Sequence, residues 1–519
     1  MEKFKAGVKG FLDSNKARAI LITSALSCFF CYFYLCIYGH AGPDSVAEGV
    51  HYYRNADWAT SCARWMIRYL NIFCGKNVII PFIVVIAYCL MIAVSCIFLA
   101  DMLKLKKVYH HVLMAAALIS FPVIADQFGY LYMALSYSFS FFCVVLGVWL
   151  IRSLKPVLIA FSVPVFLMMI GSFQAYIAGV AALGLIMFML DMLREEKQKL
   201  SWLRLGLTAA SALIACLINF PVSSLMMNIY HVAPADRVGA FSIGSIIENL
   251  SFTLKYSYIW FFDPFIEQTI LFKNKLYVLF FILLAVLSVI AVIACVKKKR
   301  VVQAVIAVLA FLLIPLAMNI CVVLFPSNGI YNVMRYQYVL IFPLGFVLLE
   351  MMTEGMLQKA LNAIAVLAVF ILVCTYALSA NSTWILNKLI YDHTIRQTEL
   401  MLARIYELDG FNYRETPIVL GGAIEYDDLR GIYAQMFEYS RIGGGPVFWE
   451  DPYGMTTGRY HYFREYLGMD ACWIGQDEYL AVVRSPEFAA MPVWPAKGSV
   501  AMIDGYAVVK NSATPPGVE

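Results

Sequence analysis

Runs of about 20 apolar residues recur along most of this chain, separated by loops that are alternately rich in lysine and arginine or empty of them. A helix of roughly 20 residues crosses the ~30 Å hydrocarbon layer of a bilayer, and with its backbone bonded internally it asks nothing of the lipid. Spans are expected near residues 19–39, 78–100, 110–125, 131–151, 156–170, 174–191, 203–222, 276–296, 301–325, 336–352 and 360–380. Composition agrees: 62% of the 519 residues are hydrophobic, 14% are charged, and the mean hydropathy is +0.74, outside the range of water-soluble domains. The predicted fold class is an all-α polytopic membrane protein with about 11 transmembrane helices.

Lysine and arginine in short loops stay on the cytoplasmic side. Lys3, Lys5, Lys9, Lys16 and Arg18 precede the first run; Lys104, Lys106 and Lys107 follow the second, and Arg152 and Lys155 the fourth. Arg194, Lys197, Lys199 and Arg204 follow the sixth, and Lys297-Lys298-Lys299-Arg300 the eighth. Loops 125–130 and 171–175 hold neither residue. An odd number of spans then places the N-terminus in the cytoplasm and the C-terminal region outside. The net charge of +5 is thus a topology signal, and no nucleic-acid partner is expected. The first run is read as an anchor, because Cys28-Phe29-Phe30-Cys31-Tyr32-Phe33 is bulky where signal cleavage needs small residues. The 13 cysteines, mostly within spans, show neither a disulfide framework nor metal-ligand spacing.

Three segments expected to face outward carry the polar chemistry. In loop 40–77, Trp58, Cys62, Trp65, Met66, Tyr69, Leu70 and Phe73 recur at helical spacing, with Asp57, Ser61, Arg64 and Arg68 opposite them. That pattern predicts one amphipathic helix at the headgroup boundary. Its arginines are suited to hold a lipid-borne phosphate, or simply to touch headgroups. Asp44 precedes Ser45-Val46-Ala47-Glu48, which has the form of a capping box. It either starts a short helix or, partly shielded from water, serves as a general base.

The second segment is Ala125-Asp126-Gln127-Phe128-Gly129-Tyr130. A carboxylate at membrane depth usually has a partner or a task. Asp126 is expected near the first loop, where two acids would suit sugar hydroxyls or a divalent cation such as Mg²⁺ or Mn²⁺; a turn or cap role is the other reading. Gly171-Ser172-Phe173-Gln174-Ala175-Tyr176 adds amide and hydroxyl groups that either grip a sugar or close a helix end. The third segment joins loop 223–275, with Tyr256, Tyr258, Trp260, Phe261 and Phe262, to residues 325–336. Short re-entrant or interfacial helices are expected there, their rings lining a groove or forming an interfacial belt. Arg335 stands outside and just before a span, against the charge rule, and calls for an anionic partner.

From residue 381 the composition shifts, and residues 381–519 are expected to form a small extracytoplasmic α/β domain following a transmembrane domain at 1–380. Asp392 to Leu408 reads as a helix ended by Gly410, 416–422 as a strand, and 498–510 as a hairpin turning at Asp504-Gly505. The Gly443-Gly444-Gly445-Pro446 run lacks the strand-to-helix setting of a phosphate loop and reads as a turn.

In their order these features resemble the bacterial membrane glucosyltransferases of the serotype-converting type, which modify O-antigen and related surface polysaccharides. Pro43-Asp44-Ser45 and Ala63-Arg64-Trp65 stand where that family has an acidic doublet and a Gly-Arg pair. Asp126-Gln127-Phe128-Gly129-Tyr130 and Phe173-Gln174-Ala175 approximate its next two loops, and Met491-Pro492-Val493-Trp494-Pro495 is similar to its tails. Ser45 and Ala63 depart from the pattern, so no role for a second adjacent acid is carried over. The resemblance implies a GT-C-like fold and transfer of a hexose, glucose by the resemblance alone, from a polyprenyl-phosphate-sugar donor to a cell-surface glycan acceptor. A polyprenyl-phosphate glucosyl synthase and a flippase would act in the same pathway.

Chemistry agrees with that implication. Polyprenyl phosphate is already a good leaving group, so the site needs one base for the acceptor hydroxyl and cations for the phosphate. Asp44 is assigned as base and Asp126 as the second acid; Arg64, Arg68 and Arg335 are the candidate phosphate ligands. Gln174, Tyr130 and Asp57 are candidate contacts to sugar or acceptor, and a single displacement would invert the anomeric centre. A lipid-linked sugar flippase or transporter is the alternative. It would show charges within spans and an internal repeat, neither of which stands out.

Overall fold

The computed structural model describes residues 14–39, 56–72, 79–194, 198–235, 243–262, 275–324, 331–439, 451–452, 454–472 and 474–517. Every expected span falls on an apolar helix. These are α1 Asn15–Tyr38, α2 Pro81–Leu103, α3 Val108–Ser120, α4 Leu131–Arg152, α5 Pro156–Ser172, α6 Ile177–Leu193, α7 Gln198–Tyr230, α8 Lys275–Lys297, α9 Val301–Met318, α10 Ile341–Met351 and α11 Met356–Tyr406. Among the described residues eight helices are long and apolar enough to cross a membrane, α6 together with the 3₁₀ turn before it, while α3, α5 and α10 with its leading turn are shorter.

The helix ends follow local chemistry. Ser14 caps α1, its side chain accepting from the Ala17 amide at 3.3 Å, and Gly39 ends that helix in the left-handed region at φ 58°. A Cβ on Gly39 would lie 2.8 Å from Pro81 Cγ, so this residue also lets the start of α2 close against the end of α1. Helices α2, α3, α4 and α6 are buried along most of their length. By contrast, α7, α8 and α9 leave Leu213, Phe220, Ile282 and Leu312 more than half exposed, as lipid-facing helices do.

One end of the bundle is basic and tightly laced. Arg152 clamps the buried Asp191 with two bonds of 3.0 and 2.8 Å, and Arg204 reaches the same carboxylate at 3.4 Å. Arg300 donates to the carbonyls of Met192 and Arg194 at 3.0 and 2.7 Å. Glu350 accepts the Lys106 and Lys107 amides, and His110 Nδ1 lies 2.7 Å from it. Lys16 and Arg194 bond the carbonyls of Leu105 and Leu103. The opposite end carries the polar segments singled out above.

The boundary expected at residue 381 falls inside α11, a continuous helix of 51 residues. The far end of α11 packs on a three-stranded sheet. Strands β1 Ile418–Gly421, β2 Val500–Ile503 and β3 Tyr506–Lys510 lie in the order β1-β3-β2, with β1 parallel and β2 antiparallel to β3. The hairpin turns at Asp504 and Gly505, φ 47° and 83°, the paired left-handed geometry that matches strand twist. Alternation splits the sheet's side chains. Ile418, Leu420, Ala507 and Val509 meet Met401, Leu402 and Ile405 of α11, while Val419 and Val508 meet Tyr479, Val482 and Phe488. Arg459 is buried against this unit, bonded to the Gly422 carbonyl, and burial pulls its guanidinium down to about 10. The fold is an all-α polytopic membrane protein with a small C-terminal α/β unit.

Candidate functional site

The amphipathic stretch after α1 is two short helices, Asp57–Ser61 and Met66–Ile72, rather than one. Ala63 breaks it at φ 61°, a conformation costing a side-chain-bearing residue roughly 1–2 kcal/mol. Tertiary contacts hold the break in place. Trp65 is buried against Gly171, where an added Cβ would fall 2.4 Å from the indole, and donates to Asn219 Oδ1 at 3.0 Å.

That kink aims Arg64 at the turn between α5 and α6. Its Nε donates to Gln174 Oε1 at 3.3 Å, and its guanidinium carbon sits 4.7 Å from the centre of the Phe173 ring. Gln174 in turn donates to the Cys62 carbonyl at 2.8 Å. Two predicted site residues, Arg64 and Gln174, are therefore in direct contact.

Arg68 and Asp57, expected on the same face, form an ion pair with each other. Arg68 also donates to Thr60 Oγ1 at 2.8 Å and lies 3.9 Å from the Tyr230 ring centre. The neighbouring Tyr69 hydroxyl is held above the ordinary phenol range by its hydrogen bond with Tyr230 and by burial. In this arrangement Asp57 and Arg68 brace the short helices; Arg64 is the cation left facing the turn.

Arg335 occupies a second niche. It is 9% exposed, donates to Tyr256 Oη at 2.5 Å and to Asn332 Oδ1 at 3.1 Å, and its buried Nε has no partner among the described residues. Tyr256 comes from the short helix Leu250–Tyr258. Thr253 and Ser257 lie on that helix's same buried face, their hydroxyls also without hydrogen-bond partners among the described residues. An unbonded guanidinium N–H and two unbonded hydroxyls are costly to bury and present donors suited to an anion.

The two niches are joined through the intervening turns. Cys321 Sγ donates to the Ala175 carbonyl at 3.5 Å, next to Gln174, and packs in the cluster of Tyr256, Val322 and Met334 beside Arg335. Asp126 is nine-tenths buried on the short helix Val123–Phe128, and Tyr130 is half-buried just before α4. Val333, two residues before Arg335, accepts from Gln127 at 2.9 Å, so Asp126 and Arg335 sit on segments in contact. Asp44, Gly443-Gly444-Gly445-Pro446 and loop residues 40–55, 73–78, 236–242 and 263–274 lie outside the described residues. Among the described residues no three His, Cys, Asp or Glu side chains gather as a metal site would require.

Sequence reasoning named both arginines and Gln174. It passed over Gln127, Asn332, the Cys62 carbonyl and the Trp65–Gly171 contact, which show only once the loops are docked. A lone glutamine between two apolar helices was the one visible signal for Gln127.

A family model described as Glucosyl transferase GtrII matches residues 44–349. No curated protein and no solved structure gives a match. The matched range runs from Asp44 to the end of α10, takes in both arginine niches and the Asp126 turn, and covers more than half of the sequence. The chain belongs to the GtrII glucosyl transferase family.

Proposed function

We propose that this membrane glucosyltransferase takes glucose from a polyprenyl-phosphate-glucose donor and transfers it to a cell-surface glycan such as O-antigen, on the outer side of the bacterial cytoplasmic membrane. In this topology the basic end of the bundle faces the cytoplasm, while the arginine niches and the α/β unit face outward. The observation that carries the reading is Arg335, buried with an unbonded N–H beside Tyr256 and across the 174–176 turn from Arg64. A polyprenyl phosphate entering from the lipid would complete that donor set, and the same guanidinium would stabilise the phosphate as it leaves.

Asp44 takes the proton of the acceptor hydroxyl as it attacks the anomeric carbon, the bond to the phosphate oxygen breaks, and the configuration inverts. Asp126 orients sugar or acceptor, with Gln174 and Tyr130 as further contacts. Purified protein reconstituted with polyprenyl-phosphate-[¹⁴C]glucose and lipid-linked glycan tests this. Transfer lost in Asp44→Asn and in Arg335→Ala supports it; movement of the labelled lipid between leaflets without transfer refutes it in favour of a flippase.

A further inference from the structure

Gln127 is completely buried and uses its whole carboxamide. Its Oε1 accepts from the Tyr88 hydroxyl, and its Nε2 donates to Tyr176 Oη at 3.0 Å and to the Val333 carbonyl at 2.9 Å. The partners lie far apart in sequence. Tyr88 belongs to the body of α2, where its ring also meets Phe128 at 4.8 Å, so one side of the carboxamide is tied to the rigid bundle. Tyr176 is two residues from Gln174, Val333 is two residues from Arg335, and Gln127 adjoins Asp126.

We propose that Gln127 is the positioning residue for glucosyl transfer, holding the Asp126, Gln174 and Arg335 segments in one register. The inference rests on the donor reading above. It follows from valence: a side chain with one acceptor and two donors satisfies a phenol, a second phenol and a carbonyl at once. A carboxylate offers no N–H to Val333, and an apolar residue of equal size strands three buried groups. Two other buried hydroxyls in the bundle tie down one carbonyl each, Tyr32 that of Ile119 and Tyr336 that of Leu118. Gln127 alone among these links three site-bearing turns. Its loss is expected to act on the donor phosphate, because the Val333 link is what fixes the turn before Arg335.

The test compares wild type, Gln127→Met and Tyr176→Phe in two measurements. Hydrogen exchange reads the amides of Met334 and Arg335, which bond the carbonyls of Tyr331 and Asn332 at 2.9 and 3.0 Å. Exchange there is expected to be at least tenfold faster in Gln127→Met and a few-fold faster in Tyr176→Phe, with the amides of β3 unchanged. Kinetics with polyprenyl-phosphate-glucose should show a raised donor KM, an unchanged acceptor KM and a fall in kcat approaching a hundredfold, the scale of a ~1 Å misplacement. A merely structural role would lower kcat alone through a smaller active fraction, or would speed exchange everywhere; either result overturns the proposal, as does wild-type exchange at Met334 and Arg335. If wild type transfers no glucose from this donor, the donor reading fails while exchange still decides the latch. Should Gln127→Met not fold, Tyr176→Phe carries both measurements at smaller amplitude.

Discussion

Replacing Gly171 with alanine weighs two opposed effects against each other. Gly171 lies in the last turn of α5 and has no left-handed φ, so on backbone grounds alanine should add about 1 kcal/mol of helix stability. Its Cβ, however, would sit 2.4 Å from Trp65 Cε2 and 2.6 Å from Nε1, well inside contact distance. The indole is a rigid plate and must move. Overpacking costs about 1–3 kcal/mol, and losing the bond to Asn219 costs about 1 more, so the net destabilisation is about 1–3 kcal/mol. Trp65 follows Arg64 directly, so a shift of the indole by ~1 Å drags the guanidinium off Gln174 and lowers turnover by up to about a hundredfold. Gly206→Ala is the control: nothing stands within 4 Å of its Cβ, and only the propensity gain should remain. Thermal unfolding in detergent, followed by tryptophan fluorescence alongside a glucose-transfer assay, reads both effects. If the two alanines behave alike, the role given to the Trp65–Gly171 contact is refuted.

Arg335→Ala should raise the donor KM at least tenfold while Arg335→Lys recovers only part of it, since a lysine cannot reproduce a guanidinium fork; a donor titration decides. Asp191→Asn leaves Arg152 and Arg204 without their shared counter-charge and should cost about 3 kcal/mol, read as a lower unfolding temperature with kcat per folded molecule unchanged. If arginines supply the cationic charge at the leaving phosphate, as proposed, treatment with EDTA should lower turnover less than tenfold, and a larger loss restored by Mg²⁺ or Mn²⁺ would contradict this. Asp57→Asn frees Arg68 from its ion pair and should loosen the two short helices, seen as faster amide exchange at residues 57–72.

The spans were legible because each is an apolar run closed by lysine and arginine, a pattern imposed by lipid and independent of tertiary detail. The sheet was legible for a similar reason: β-rich runs flank an Asp-Gly turn whose left-handed residues leave few alternatives. The break at Ala63 was not. Helical spacing continues through it from Trp58 to Phe73, and only the docking of Trp65 onto Gly171 and Asn219 forces the kink. The boundary expected at 381 follows a change of composition, whereas helix-breaking residues do not occur there: α11 contains neither glycine nor proline and runs on to Tyr406. At the candidate site, Arg335 and Asp126 could be singled out because each is a lone charge in its loop, and Arg64 because it falls on the polar face of an amphipathic stretch. Their mutual arrangement depends on carbonyls and on one glutamine, which carry no compositional mark.

The length of α11 has a mechanical consequence. At 1.5 Å per residue its 51 residues extend about 76 Å, and a bilayer's oily interior accounts for only ~30 Å of that. The remainder exceeds what the hydrocarbon layer can hold, and the sheet packs near its far end on Met401, Leu402 and Ile405. The spacing between the sheet and the bundle is therefore set by one uninterrupted helix rather than by a flexible linker.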